Sequence, residues 1–436
     1  MSAGRDGTAA AAARPHCAPD VALAERLFDE LRERTGTPAG ITRASFGLGE
    51  QVAHDIVARE AARLGMELEI DAGCNLYMTL RGAAPGPAVF VGSHLDSVPR
   101  GGNFDGAAGV LCGLAVAAGF VAAGVRPPQD LTVIAIRAEE STWFGASYIG
   151  SRAAFGWLEA SELDGILRAG DLVRLGAALE AAGGDSAAIR SGKAHLDASR
   201  VGAFIEPHIE QGPVLEASGK PVAIVTGIRG SFRRRQARCL GAYAHSGATP
   251  RENRADAVLA TARLVSRLDD AWIRLADEGH DLTVTFGQFA TSPSEAAFSK
   301  VAGRVDFALD VRSASRETLD LMRTELAAAV AEIEASHGVS FDLGVETGSE
   351  PALMDHAIIT ALDEIAHERE IDAPQLACGA GHDAAVFAKE GIPTGMVFIR
   401  NQNGSHNPDE AMDIADFAVA CDLISAFCQR PLQRTS

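Results

Sequence analysis

Imidazoles and carboxylates recur in this chain at separated places: His94-Leu95-Asp96 with Asp105, the Glu139-Glu140 pair, His208, His382-Asp383 and His406. Brought together from the ends of different strands, such groups build a hydrolytic metal centre. Structural zinc sites instead favour four thiolate or imidazole ligands in close pairs. The chain contains neither CxxC nor HExxH, so a zinc finger and a helix-borne two-histidine protease site are both unsupported.

Each group has a chemical reading and an ordinary one. His94 can offer one ring nitrogen to a metal while Asp96 accepts the other N–H and fixes the tautomer. Asp105 lies in the glycine-rich stretch Gly101-Gly102-Asn103-Phe104-Asp105-Gly106, and its two oxygens could bridge two ions. Alone, Asn103 and Asp105 would read as a turn capping the next helix; the His-x-Asp upstream favours the metal. Two adjacent carboxylates at a strand end repel each other unless a cation sits there. Glu140 would hold metal, and Glu139 would act as general base on water and carry the proton to the leaving group. By itself such a pair reads as a solvated helix start. In Pro207-His208-Ile209-Glu210-Gln211-Gly212, alternation places His208 and Glu210 on one side and Gln211 opposite.

The elements that must position these residues are legible as hydrophobic patterns. Residues 20–66 read as two amphipathic helices around a glycine-rich joint, and 111–121 as a buried helix. Apolar runs at 89–91, 131–136 and 396–399 read as buried strands, each followed by a candidate ligand. Apolar strands alternating with helices indicate an α/β sheet covered on both faces, with ligands outside the strands' carboxyl ends. The middle differs: strand 232–240, helix 254–268, strands 282–289 and 305–311, helix 316–333 and strand 339–345 give the β-α-β-β-α-β order of a ferredoxin-like unit. The periodicity puts Val258, Leu259, Ala262, Val265 and Leu268 on the buried face of its first helix. Residues 156–200 read as a long helical excursion without a motif.

A chain of 436 residues exceeds one ordinary core and fits two domains. A net charge of −19 argues against nucleic acid, whose binding needs a basic patch. The seven irregularly spaced cysteines fit no disulfide framework and suggest a reducing cytoplasm. No stretch reaches a membrane span, and residues 1–18 read as a disordered N-terminus.

The strings GSHLDSVPRGGNFDG, EES-x-WF followed by GSR, EPHIEQGP, AHSGATP-x-x-x-RADA, ALDVRS, GAGHDA and SHNPDE occur in this order. They resemble the hydantoinase/carbamoylase amidases, a group of dinuclear metallohydrolases that includes N-carbamoyl-L-amino-acid amidohydrolases, β-ureidopropionase and allantoate amidohydrolase. The resemblance runs from about residue 40 to near the end.

It implies an α/β, mixed-sheet catalytic domain at 19–228 and 348–436 with a ferredoxin-like α+β lid and dimerisation domain inserted at 229–347. It implies His94, Asp105, Glu140, His208 and His406 as ligands of two divalent ions (Zn, Mn, Co or Ni) and Glu139 as base, and Asp96 fits beside them as the group orienting His94. His245 would reach the partner subunit's site to stabilise the oxyanion, with Gln211, Arg312 and His382 contacting substrate or assisting catalysis. An arginine fork is a natural clamp for an amino-acid carboxylate. The implied activity is hydrolysis of a linear ureido C–N bond by a cytoplasmic homodimer. A dipeptidase or N-acyl-amino-acid deacylase and an inactive binding homologue are the alternatives. Two positions depart from the family. Ser299 stands where a substrate-holding asparagine is usual, and Ser141-Thr142-Trp143-Phe144 replaces the usual Gly-x-Arg-Phe. Both bear on substrate identity.

Overall fold

The structure, a computed structural model, describes residues 17–432. Most of the stretch expected to be disordered (1–16) lies outside the described residues. Cys17, within that expectation, is buried; its carbonyl accepts from Ser425 Oγ at 2.6 Å and its N–H donates to Gln429 Oε1 at 3.2 Å. The chain divides into two compact units, one running to Ile224 and resuming at His356–Pro374 and Glu390–Ser436, the other formed by Val225–Asp355 and Gln375–Lys389. Residues 375–389, read in sequence with the first unit, thus group with the second.

The first unit begins with α1 (Val21–Thr35) and α2 (Leu48–Arg63), then β1 (Glu67–Ile70), β2 (Leu76–Leu80) and β3 (Ala88–His94). α3 (Ala107–Ala123), β4 (Leu131–Ile136) and β5 (Val201–Ile209) follow. The second unit holds β6 (Gly230–Leu240), α4 (Ala257–Asp277), β7 (Thr283–Thr291), β8 (Arg304–Ser313), α5 (Arg316–His337), β9 (Ser340–Asp342) and β10 (Glu346–Ser349). The chain then supplies the first unit with α6 (His356–Glu368), β11 (Thr394–Ile399) and α7 (Ile414–Cys428).

In the first unit the strands lie in the order β11-β5-β3-β4-β2-β1. The four strands β11, β5, β3 and β4 are parallel; β2 pairs antiparallel with β4, and β1 pairs antiparallel with β2, which completes a mixed sheet. Every residue of β3, β4 and β11 is buried, as expected for parallel strands covered on both faces. α3 is buried from Ala107 through Phe120 and packs its small residues close to the strands beneath. The register sets His94 beside Ile136 and His208 beside Phe398. The carboxyl ends of β3, β4, β5 and β11 therefore open at one edge, where their loops must meet.

Residues 156–200 are not a long helical excursion. They form short helices at Ala160–Gly165, Leu175–Ala181 and Ser186–Arg190, separated by glycine and polar residues. Leu163, Leu175, Leu179 and Ile189 share a core with Phe46, Ala138, Phe144 and Ile149, so this segment buttresses the residues flanking the glutamate pair.

The second unit has the β-α-β-β-α-β order, its last strand divided into β9 and β10. Its antiparallel sheet runs β7-β8-β6-β9, with β10 also on β6. The buried face of α4 differs from the expected one. Ala257, Ala260, Thr261, Leu264, Leu268, Ala271 and Leu275 face the core, whereas Leu259 is 54% exposed. The Asp256 carboxylate caps the N–H groups of Val258 and Leu259, which starts the helix at Ala257. A core stripe must run the helix's full length, and the expected stripe meets Asp269 one turn on. Leu268→Ala should cost about 2–5 kcal/mol and Leu259→Ala no more than about 0.5 kcal/mol in urea unfolding; equal losses would return Leu259 to the core.

Candidate metal centre

The sharpest electrostatic feature is at the carboxyl edge of the first unit's sheet. His94 closes β3, and its Nδ1 lies 3.1 Å from the Asp96 carbonyl and 3.3 Å from Asp96 Oδ1. His208, near the end of β5, directs Nδ1 to the Ile209 carbonyl at 2.9 Å. These contacts hold a proton on each Nδ1 and turn both Nε2 atoms inward. The two Nε2 atoms face each other at 3.5 Å and stand 3.7 Å (His94) and 3.2 Å (His208) from Asp105 Oδ1. Asp105 Oδ2 lies 3.2 Å from His406 Nε2, which is 3.4 Å from Glu140 Oε1. Donor atoms of His94, Asp105 and His208 lie within 4.8 Å of one another, as do those of Asp105, Glu140 and His406. Asp105 belongs to both groups, one oxygen facing each.

These residues fit divalent cations. The two inward imidazole nitrogens lie 3.5 Å apart, His208 Nε2 also meeting the Gly106 N–H at 3.2 Å, and buried Asp105 Oδ1 beside them has no aligned hydrogen-bond donor. Imidazole and carboxylate together suit zinc, manganese, cobalt and nickel.

The backbone is shaped to aim these groups. Asp96, fully buried, accepts from the N–H of Glu139 (3.1 Å) and of Glu140 (3.2 Å) and from Ser45 Oγ (2.6 Å). It therefore docks the glutamate pair as well as orienting His94. Ala138, just before the pair, has φ +52°; its N–H donates to Glu50 Oε1 at 2.9 Å. Glu50 is itself buried against Arg137 Nη1 at 3.0 Å. Gly106 has φ +66°, and a Cβ there would lie 2.5 Å from the His94 ring, so only glycine lets α3 start against that imidazole. The α3 N-terminus has no side-chain cap, so Asp105 is not spent on capping. Glu139 and Glu140 are both buried rather than solvated, and Glu139 Oε2 is 4.0 Å from His94 Nε2.

Gln211 does not lie opposite His208. Its φ of +62° turns the chain after β5 and brings Nε2 to 3.0 Å from Asp105 Oδ2. Glu210, expected on the His208 side, instead accepts from the N–H groups of Val214 and Leu215. Strand alternation stops where the left-handed residue begins.

Crowded carboxylates set the protonation of the site. Burial, then the Asp105 charge, pushes Glu140 up to about 7. His406 is raised to about 9, first by its hydrogen bond to Asp105. Burial alone would lower His94, but the Asp96 hydrogen bond and the charges of Glu139, Asp96 and Asp105 hold it well above the usual imidazole value. Burial likewise opposes the charge on Asp105, and the neighbouring His208, His406 and His94 imidazoles outweigh it and hold its carboxyl well below the usual carboxylate range.

The remaining expected residues belong to the second unit. His245 is exposed and its Nδ1 accepts from the N–H groups of Gly247 (3.2 Å) and Ala248 (3.1 Å). The neighbouring strand brings Ser299 beside it, its carbonyl accepting from Ser246 N–H at 2.9 Å. Arg312, at the end of β8, donates through Nε and Nη2 to Asp310 Oδ2 and through Nη1 to the Gly379 carbonyl. His382 is buried three residues on from that glycine. Trp143, in the first unit, donates from Nε1 to the Ser97 carbonyl at 2.8 Å.

Several residues with roles at the site had no reading from sequence. Glu50, Arg137 and Arg43 are buried polar groups in otherwise ordinary segments, and lone buried charges have no periodic pattern. Ser405 and Glu410 lay inside SHNPDE, where the motif itself was the available pointer.

Residues 90–430 match Peptidase family M20/M25/M40, and the chain belongs to that family. Similar proteins include the N-carbamoyl-L-amino acid amidohydrolase of Geobacillus stearothermophilus, 34% identical over 407 residues that cover 92% of this chain and 96% of the relative. The N-carbamoyl-L-amino-acid amidohydrolase of Paenarthrobacter aurescens is 32% identical over 409 residues, 92% of this chain and 97% of the relative. The crystal structure of a hydantoinase/carbamoylase family amidase from Burkholderia multivorans aligns with a TM-score of 0.85 at 27% identity, covering 96% of this chain and 100% of that one. Within the family the chain groups with these amidases, as its motif strings imply. Among the described residues no helix is long and apolar enough to cross a membrane.

Below about 9 His406 carries a proton and below about 7 Glu140 does, so a cation must displace them. Affinity for zinc or manganese should therefore rise with pH, about tenfold per unit for each proton displaced. Calorimetric titrations in buffers of different ionisation enthalpy should register the released protons; a pH-independent affinity would show that these two groups do not receive the ion.

Proposed function

We propose that the protein is a metal-dependent amidohydrolase that cleaves the linear C–N bond of an N-carbamoyl (ureido) amino acid or a close relative, releasing ammonia, carbon dioxide and the amino acid. The observation that carries this reading is the position of Asp105, buried and shared between two donor groups, with Glu139 alongside. His94, Asp105 and His208 would hold one divalent ion, and Asp105, Glu140 and His406 a second; zinc, manganese, cobalt or nickel would suit. When bound, the ions supply Lewis acidity that polarises the ureido carbonyl and acidifies water.

The residues divide the remaining work. Glu139 takes the proton from the attacking water at its carboxylate and delivers it to the departing nitrogen. Its backbone, docked on Asp96, fixes where that carboxylate can swing. His245, acting on the partner subunit's substrate, stabilises the developing oxyanion by donating from Nε2. Its Nδ1 accepts two backbone N–H groups, which favours the tautomer with the proton on Nε2 and supports a donor role. Arg312 clamps the substrate carboxylate, exchanging part of its bond to Asp310 for it, and His382, Gln211 and Ser299 line the substrate.

A homodimer formed through the second unit, as lid and dimerisation domain, accords with β7 being an edge strand with Phe289 42% exposed, and with Leu259 and Ile273 outward on α4. None of the seven cysteines, all within the described residues, is in a disulfide, which accords with a cytoplasmic setting.

A panel of N-carbamoyl amino acids, N-acyl amino acids and dipeptides, assayed for ammonia and amine release with added manganese, cobalt or zinc, tests the activity; turnover of dipeptides alone would sink the ureido reading. Glu139→Gln should retain its metal content and lose about 10²–10⁴-fold in kcat, and unimpaired turnover would remove its role as base. Mixed dimers of His245→Ala and Glu139→Gln subunits should recover activity that neither parent has. Absence of recovery would count against a histidine acting across the dimer.

A further inference from the structure

Glu410 takes no part in the chemistry above, although its carboxylate joins the two loops that chemistry needs most. It is buried. Oε1 accepts from the N–H of Phe104 at 2.9 Å and of Asp105 at 3.3 Å. Oε2 accepts from Ser405 Oγ at 2.6 Å, and that hydroxyl also lies 3.0 Å from Asp105 Oδ2. Gly102 adapts to it: a Cβ there would fall 2.1 Å from Glu410 Oε1, so a side chain at 102 would expel the carboxylate.

The loop bearing Glu410 is braced from within. Asn403 Nδ2 donates to the Asp409 carbonyl, Asn407 Nδ2 to the carbonyls of Asn403 and Ser405, and Gln402 pairs with Ala411. The loop after β3 is braced from its other side. Wholly buried Arg43 donates to the Leu95 carbonyl at 2.7 Å and to Asn103 Oδ1 at 3.3 Å, and Asn103 Nδ2 donates to the Phe28 carbonyl. Glu410 ties the backbone of one of these preformed loops, which carries Asp105, to Ser405 of the other, which carries His406, and Ser405 Oγ adds its own contact to Asp105 Oδ2. A carboxylate suits the task because it accepts several hydrogen bonds and has no donor to leave stranded. Glutamine would turn an amide N–H₂ toward one of these donors.

We propose that Glu410 is the positioning residue of the metal centre: by docking the Asp105 backbone and Ser405 on one carboxylate, it sets the separation of Asp105 and His406. This rests on the assignment of those residues to a metal site. The test compares full-length wild type, Glu410→Ala, Glu410→Gln and Ser405→Ala by zinc titration against a competing chelator. Amide hydrogen exchange of the metal-free proteins accompanies it. Glu410→Ala should bind zinc about 10–100-fold more weakly and lose exchange protection at Phe104 and Asp105, while amides of β3, β4 and β5 keep theirs. Glu410→Gln and Ser405→Ala should fall between it and wild type. Wild-type zinc affinity, or undiminished protection at 104 and 105, in Glu410→Ala would overturn the proposal. If that variant does not fold, the same readouts on the other two decide, and wild-type behaviour in both overturns it. Wild type that takes up no zinc would instead remove the metal site itself, an outcome distinguishable because the exchange comparison uses no metal.

Discussion

Asp105 is buried with one carboxylate oxygen turned to two imidazoles and the other to a third, beside two further buried glutamates. Negative charge so concentrated and so poorly hydrated is costly unless cations compensate it. The surroundings bear the mark of that requirement. Protons crowd onto His94 and His406, Glu140 resists ionisation, and a buried arginine, Arg43, lies behind the loop. On the proposed function such a site exchanges protons for bound metal, and its acid–base behaviour follows from that exchange.

Holding such groups together takes backbone conformations that are unfavourable by themselves. Ala138, Gln211 and His406 all adopt left-handed φ without being glycine, at roughly 1–3 kcal/mol each. Each follows a different parallel strand, and fixed partners accompany them. Glu50 accepts from Ala138 and Asn401 Oδ1 from the Gln211 N–H, while His406 sits in a loop braced by Asn403, Asn407 and Glu410. The turns redirect side chains that a straight strand would leave on the wrong side. The parallel sheet supplies a rigid edge, and left-handed turns supply the final aim.

Much of the fold was legible because burial imposes periodicity. The apolar runs at 131–136 and 396–399 mark fully buried strands, and the second unit's element order follows from its alternating patterns. The face of α4 differs from the expected one because local periodicity does not fix where a helix starts; the capped start at Asp256 and the underlying sheet do. Residues 156–200 depart from the expected long helical excursion because short helices packed on a neighbour need little periodicity of their own.

Residue types and motif order by themselves determined the family chemistry: His94, Asp105, Glu139, Glu140, His208 and His406 are there in the sequence, because donor identity is a local property. The tertiary structure alone decided that Asp105 faces both donor groups, that Asp96 docks the glutamate pair, that Gln211 turns inward while Glu210 turns away, and that Glu410 closes the loop across 305 residues of chain. These are relations between segments far apart in sequence. They are set by strand register and by single left-handed residues, for which composition and periodicity carry no record.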